Sequence, residues 1–207
     1  MKDLLAAIWG MQFKGGSANM DVLVSELYEC SRDFLEEKLD SLTAKGLINK
    51  QKEGYVLTAA GREKIRIVVC GGVFDIVHPG HAFILNEAKK EGDVLIVILA
   101  RDSTVEKRKR IPIVPENQRK EMVSNLKSVD IAVLGHEGDP LEIIEEIKPD
   151  VIVLGPDQHH REEKIKAEME KRQINLRVKR INEYKECELN STKTILEKII
   201  ERNYPKP

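Results

Sequence analysis

The 207-residue sequence lacks long hydrophobic runs, has only three cysteines and carries almost no net charge. Its longest continuous apolar run, Val94 to Ala100, is far below the roughly 20 residues that span a bilayer. The cysteines, Cys30, Cys70 and Cys187, are too few and too scattered for a disulfide framework, which fits a reducing compartment. A formal charge of −1 excludes a protein that binds nucleic acid through bulk positive charge. We therefore expect a cytoplasmic protein with no secretory signal and no membrane partner.

The first 64 residues combine helical spacing with a hairpin pattern. Apolar residues recur at helical intervals from Leu4, from Val22 and from Phe34, and Ser31 is suited to cap the third of these helices. Residues 47–50 and 54–58 then follow the pattern of two strands around a turn. Three helices followed by a β-ribbon resemble a winged helix-turn-helix, and we assign this domain to residues 1–64.

A winged-helix domain raises the alternative that the chain is a DNA-binding regulator with a nucleotide-sensing second domain. Residues 1–64 contain nine basic and ten acidic residues, and the expected recognition helix is itself net acidic. Affinity for DNA depends on cationic contacts with phosphates, so an acidic helix disfavours this role. We expect no DNA binding. A lid-like or dimerisation role is expected instead, and the chain is expected to form a homodimer.

From residue 65 onward, short β-branched runs alternate with amphipathic helices. This alternation predicts an α/β domain over residues 65–207, with a doubly wound, five-stranded parallel sheet that binds ligands beyond the carboxyl ends of its strands. The expected strands are 67–70, 94–100, 131–134, 151–154 and 176–181. The expected helices are 79–91, 115–126, 140–147, 161–172 and 191–202.

The segment from Gly71 to His81, with the sequence GGVFDIVHPGH, leaves the first of these strands and enters a helix. Glycines allow the backbone to approach a ligand closely, and Pro79 suits the first turn of a helix. His78 and His81 are three residues apart, so both can face one side, beside N–H groups that attract anions. The residues alone leave two interpretations open: phosphate chemistry, or a tight turn with two solvated or zinc-binding histidines.

This segment resembles the GxFDxxHxGH signature of the nucleotidyltransferase superfamily, and the resemblance extends over about residues 66–202. It implies a Rossmann-like enzyme in which an acceptor phosphate attacks the α-phosphate of a nucleoside triphosphate. His78 and His81 would be catalytic donors, and Mg²⁺ would bridge the phosphates. Asp75 would either stabilise the loop or reach the metal through water. The same segment would contribute three nucleotide-binding residues, Gly72, Val73 and Phe74.

The resemblance also implies nucleotide contacts in later stretches. Lys107 and Lys109 lie in a basic loop, where Lys109 would be the catalytic cation, and Arg119 matches an arginine at the start of a helix. The remaining matched positions, at the fourth strand's end and the last helix's start, are Gly155, Asp157, Gln158, Ser191 and Thr192. The plainer alternative is a solvated loop for the two lysines and a surface ion pair for Arg119. It is a turn or a helix cap for the stretch after the fourth strand, and a helix cap for Ser191 and Thr192.

The stretch before Ser191 departs from the cytidylyltransferase pattern, because it lacks the Arg and Gly found there in that family. Three basic residues are candidate replacements for the missing arginine: Arg180, Lys185 and Lys193. The stretch resembles the archaeal FAD synthases, which are FMN adenylyltransferases with a cysteine that matches Cys187, here a candidate redox-sensitive site. The resemblance implies ATP and FMN as substrates. The alternative is a cytidylyltransferase that uses CTP and glycerol 3-phosphate or a related phospho-alcohol.

Overall fold

The computed structural model describes residues 1–27, 31–107, 111–139, 141–156, 158 and 162–202. The predicted site residues Lys109 and Asp157 lie outside these ranges. The chain divides into two compact units, Met1–Arg66 and Ile67–Pro207. None of the helices in the described part of the chain combines the length and apolarity needed to cross a bilayer.

The first unit contains helices and a two-stranded antiparallel ribbon. Its elements are α1 (Lys2–Phe13), α2 (Met20–Glu26), α3 (Arg32–Ala44), β1 (Ile48–Gln51), β2 (Gly54–Leu57) and α4 (Ala59–Arg62). Ser31 caps α3 as expected, because its side chain accepts a hydrogen bond from the amide of Phe34. Buried aliphatic residues such as Leu5, Leu23 and Leu39 form the interior of the unit. The winged-helix identity and the role of this unit stay predictions.

The second unit alternates strands and helices. Its elements are β3 (Ile67–Gly72), α5 (Pro79–Lys89), β4 (Val94–Leu99), α6 (Asp102–Glu106), α7 (Glu116–Ser124), β5 (Ile131–Leu134), α8 (Glu142–Ile147), β6 (Val151–Leu154), α9 (Glu162–Lys171), β7 (Arg177–Arg180) and α10 (Thr192–Glu201). The strands β3, β4 and β6 are almost wholly apolar and buried, which suits a sheet covered on both faces.

The five strands of this unit pair in parallel in the order β5-β4-β3-β6-β7. The chain therefore starts in the middle, moves outward through β4 and β5, and then returns to the other side of β3. Such a reversal creates a crevice at the carboxyl ends of β3 and β6, where doubly wound sheets bind their ligands. The predicted five-stranded parallel α/β fold is confirmed.

Two carboxylates join the starts of neighbouring strands at the opposite, amino edge of the sheet. Asp150 Oδ2 accepts a hydrogen bond from the amide of Ile67 at 2.6 Å, and Asp130 Oδ2 accepts one from the amide of Leu95 at 2.6 Å. Each bond satisfies a backbone donor beyond the end of the strand ladder. These carboxylates fix the sheet at the edge away from the ligand crevice.

Candidate active site

The loop that leaves β3 is shaped by Gly72 and Phe74. Phe74 adopts a left-handed backbone with φ of +53° and buries its ring in the core. A Cβ on Gly72 would lie 2.7 Å from Cε2 of that ring, so only glycine leaves room for it. The loop therefore changes direction just after β3, and the residues that follow lead to the start of α5.

His78 and His81 come together at the start of α5, where the sequence analysis expects them. His78 is the residue before the first turn, and Pro79 is the first helical residue. The two imidazole rings stack with their centroids 3.8 Å apart, and the ring of His81 also contacts that of Phe74, at 5.0 Å between centroids. The Nδ1 atoms of both histidines are buried and make no hydrogen bond within the described part of the chain.

Burial keeps both histidines neutral at pH 7. It lowers the pKa of His78, and it lowers that of His81 to about 4, with a further lowering from the neighbouring His78 that a backbone hydrogen bond with Ile76 partly opposes. A neutral imidazole keeps one N–H group, and the start of α5 adds backbone N–H groups that attract anions. The arrangement is therefore suited to a phosphate group.

Asp75 lies three residues before His78, and it holds a distant segment. Its carboxylate is 5 % exposed, and Oδ1 accepts hydrogen bonds from the amides of Ile113 and Val114 at 2.8 and 2.9 Å. Asp75 therefore holds the segment before α7, and its two expected roles, stabilisation of its own loop or a water-mediated metal contact, stay predictions. The residues that the structure describes contain no group of three or more His, Cys, Asp and Glu side chains that could hold a metal ion.

Arg119 is enclosed by protein rather than open to the crevice. Its side chain is 0 % exposed, and four of its five N–H groups donate to Val73 O, Ala100 O, Val114 O and Asp102 Oδ1. Its guanidinium thus joins the ends of β3 and β4 to the segment that precedes α7. Buried guanidinium groups need such acceptors. The expected contact between Arg119 and a nucleotide stays a prediction, since this structure commits most of its donors to the protein.

The start of α10 reaches the histidine turn. A Cβ on Gly80 would lie 2.8 Å from the carbonyl oxygen of Asn190 and 3.0 Å from Nδ1 of His78, so the two backbones are in close contact. Ser191 caps α10: its Oγ accepts a hydrogen bond from the amide of Thr194, whose hydroxyl in turn accepts one from the amide of Ser191. Asn190, the residue before this cap, thus contacts the histidine turn; the expected phosphate contacts of Ser191 and Thr192 stay a prediction, and Ser191 has the plainer role of a helix cap.

The loop after β6 borders the crevice from the other side. The amide group of Gln158 donates a hydrogen bond to the carbonyl oxygen of Gly71 at the end of β3. Arg180, at the end of β7, donates to the carbonyl oxygens of Gly155 and Gln158 at 2.9 and 3.0 Å. Gly155 and Gln158 are therefore close to the β3 loop, and Arg180 fixes their backbone.

The comparisons with known proteins concern the unit that holds this site. A family model described as cytidylyltransferase-like matches residues 69–198, from β3 into α10. The chain belongs to the cytidylyltransferase-like family. The match includes His78 and His81, the loop after β6 and the start of α10, so the elements that meet at the crevice all lie within the family domain.

Curated relatives of this cytidylyltransferase-like domain include several archaeal proteins. The chain is 50 % identical to the FAD synthase of Aciduliprofundum boonei over 135 residues, which cover 65 % of this chain and 91 % of that protein. It is 53 % identical to the FAD synthase of Methanothermus fervidus over 131 residues, which cover 62 % and 90 %. Among solved structures, the lipopolysaccharide core biosynthesis protein from Thermoplasma volcanium GSS1 is similar, with a TM-score of 0.57, 45 % identity and coverage of 58 % and 99 %.

Several residues of the cytidylyltransferase-like site were not visible in the sequence. Asp102 and Glu116 bond to each other's backbone amides, and Glu116 also pairs with Arg101 at 2.7 Å. Each is an ordinary charged residue at the start of a helix, and only the fold reveals its partner. Lys107 is exposed at the end of α6, in the basic stretch as expected. Cys187 is a half-buried free thiol, whereas burial raises the pKa of the Cys70 thiol to about 12.

Proposed function

We propose that this chain is an FMN adenylyltransferase, which makes FAD and pyrophosphate from ATP and FMN. The observation that carries the proposal is about 50 % identity to archaeal FAD synthases over about nine tenths of their length. The aligned unit contains the stacked histidines and every other element that meets at the crevice.

In the proposed reaction, an oxygen of the FMN phosphate attacks the α-phosphorus of ATP in line with the bond to the β-phosphate. A new P–O bond forms, the bond from the α-phosphorus to the bridging oxygen breaks, and pyrophosphate leaves. Such a transfer depends on positioning and on charge neutralisation, and it needs no nucleophile from the protein. His78 and His81, neutral at pH 7, would donate N–H groups to the α- and β-phosphates as negative charge develops.

Cationic and helix-terminal groups would complete the phosphate site. Lys107 would neutralise the leaving pyrophosphate, together with Lys109, and the start of α10 at Ser191 and Thr192 would hold the outer phosphates. The substrate is expected to enter as ATP with Mg²⁺ on its phosphates. Mg²⁺ commonly keeps several waters and takes few protein ligands, which fits a site without a cluster of metal-ligating side chains in the described residues.

The test assays every combination of two nucleotides and three acceptors. The nucleotides are ATP and CTP, and the acceptors are FMN, glycerol 3-phosphate and phosphopantetheine. Chromatography of the products should show FAD and pyrophosphate from ATP and FMN, and little product from the other pairs. The His81→Ala variant is the control that assigns the activity to this chain. Formation of CDP-glycerol from CTP, without FAD from ATP and FMN, would replace this proposal with a cytidylyltransferase.

The remaining expectations about partners are separate proposals. Sedimentation of the purified protein tests the homodimer, and a mobility shift with random duplex at low salt tests the expected lack of DNA binding. A tight, salt-sensitive shift would favour the regulator alternative for the first unit.

A further inference from the structure

Two buried side chains from different parts of the site hold one short segment, residues 111–114, which we call the strap. Asp75 accepts hydrogen bonds from the amides of Ile113 and Val114, and Arg119 Nε donates to the carbonyl oxygen of Val114 at 2.9 Å. Both backbone groups of Val114 are therefore fixed by side chains. The strap lies between the basic stretch that includes Lys107 and the start of α7.

Arg119 extends this connection to the loops above the sheet. Its other N–H groups donate to the carbonyl oxygens of Val73 and Ala100, which follow β3 and β4, and to Asp102 Oδ1 at 2.6 Å. A single enclosed guanidinium thus sets the distance between the loop that leads to His78 and the loop that leads to Lys107. A lysine at this position could make only part of this set of hydrogen bonds.

Asp102 and Glu116 couple the same guanidinium to the two helices that follow. Glu116 Oε2 accepts from the amide of Asp102 at 2.8 Å, and Asp102 Oδ2 accepts from the amide of Glu116 at 3.0 Å. Each carboxylate caps the first turn of the other residue's helix, and Asp102 Oδ1 remains bound to Arg119. The starts of α6 and α7 are therefore held at one fixed separation.

We infer that Asp75 and Arg119 are positioning residues, which act on nucleotidyl transfer through the strap and through the loops after β3 and β4. Neither touches the nucleotide, the acceptor or a metal ion in this role. This inference deepens the proposed function and rests on it for the reaction assayed. The positioning role replaces two alternatives: a water-mediated metal contact for Asp75 and a direct nucleotide contact for Arg119.

The first test compares Asp75→Asn with Asp75→Ala. Asparagine keeps an oxygen that can accept from the strap amides but carries no charge, whereas alanine has no acceptor. We expect Asp75→Asn to retain kcat within about tenfold, with an unchanged Mg²⁺ concentration for half-maximal rate, and Asp75→Ala to lose on the order of 10² in kcat. A large increase in the Mg²⁺ requirement of Asp75→Asn would overturn the inference in favour of a metal contact.

The second test measures coupling between the two residues through the strap. Because Asp75 and Arg119 both bind Val114, the double variant Asp75→Ala/Arg119→Ala should lose little more kcat than the worse single variant. If the kcat losses of the two single variants multiply in the double variant, the two residues act independently and the inference is overturned. Arg119→Lys should show the same loss of kcat as Arg119→Ala. If Arg119→Lys instead has a normal kcat and only a changed KM for ATP, Arg119 makes a direct charge contact with the nucleotide.

Asp130→Ala is the matched control, because Asp130 also accepts a backbone hydrogen bond but lies at the amino edge of the sheet. It should lower the temperature of thermal unfolding and leave kcat and both KM values unchanged. If the alanine variants at Asp75 or Arg119 fail to fold, Asp75→Asn and its Mg²⁺ dependence decide the question. The variants are assayed with whichever nucleotide and acceptor the wild type uses, so a different substrate would refute the proposed function without affecting this test.

Discussion

The imidazole rings of His78 and His81 stack at the start of α5, with their centroids 3.8 Å apart and their planes inclined by 26°. Two protonated imidazoles would repel each other at this distance, and burial disfavours the charged form of each. The pair is therefore neutral at pH 7, and each ring carries one N–H.

Removal of either imidazole should greatly slow the transfer. For His78→Ala and His81→Ala, we expect kcat to fall by roughly 10²–10³, because each variant lacks one preorganised donor for the phosphates. The measurement is the initial rate of FAD formation at saturating ATP and FMN. His136→Ala is the control, since that half-buried histidine pairs with Glu146 and follows β5, which β4 separates from β3. Near-normal turnover by His81→Ala would contradict the proposed role.

The buried His81 should make the protein less stable in mild acid. Its pKa is about 4 in the folded protein against an ordinary value near 6.5, so the unfolded chain binds more protons between these values. Above about pH 6.5 the imidazole is neutral in both the folded and the unfolded chain, so its titration does not lower the free energy of unfolding there. The free energy of unfolding should decrease as the pH falls towards 4, by an amount on the order of 3 kcal/mol.

Urea denaturation at pH 7 and at pH 4.5 measures this dependence, with His81→Gln as the comparison. The variant keeps a polar side chain but does not titrate in this range, so its stability should fall less between the two pH values. An equal fall in both proteins would show that other groups produce the acid sensitivity.

The substitution Gly80→Ala should push the start of α10 away from the turn that contains His78 and His81. The new Cβ would lie 2.8 Å from the carbonyl oxygen of Asn190, which is closer than a real contact allows, so the backbone must shift. We expect a lower kcat and a higher KM for ATP, each by about tenfold or more, because small misplacements are costly in such sites. Gly135→Ala is the control, since its Cβ would meet its nearest neighbours at an ordinary 3.5 Å. Equal effects of the two substitutions would refute the prediction.

Loss of Arg180 should weaken nucleotide binding through the loop after β6. Arg180 holds the carbonyl oxygens of Gly155 and Gln158, so Arg180→Ala should raise the KM for ATP by about tenfold while kcat changes less. Arg177→Ala is a matched control from the same strand, because Arg177 pairs with Glu91 at the other edge of the sheet. Steady-state kinetics with ATP as the varied substrate distinguishes them. The same KM increase in both variants would indicate a general loss of stability.

Much of the α/β fold could be predicted because its signals are local. Runs such as Val94–Leu99 are apolar throughout and identify buried parallel strands, and the GGVFDIVHPGH segment placed His78 and His81 at a strand-to-helix turn. The expected bounds of the strands agree with the observed ones to within two residues, and those of β5 and β6 agree in full. Helix α6 was not predicted, since Asp102–Glu106 precedes a strongly charged stretch and depends on Glu116 for its first turn.

The part of the site that the sequence could not predict depends on contacts between distant residues. Nothing near Asp75 or Arg119 in the sequence indicates that both bind Val114, and an arginine in a charged helix start is more often exposed. The roles of Lys109 and Asp157 stay predictions from resemblance, because they lie outside the described residues.

The contact between Gly80 and Asn190 also has a consequence for biosynthesis of the protein. It joins positions more than a hundred residues apart, and contacts of such long range form late because a large loop must close first. A nascent chain that has released only the first strands from the ribosome already contains both histidines but not the α10 side of the phosphate pocket. The α10 side of the turn that holds His78 therefore forms only when the chain near Asn190 packs against the start of α5.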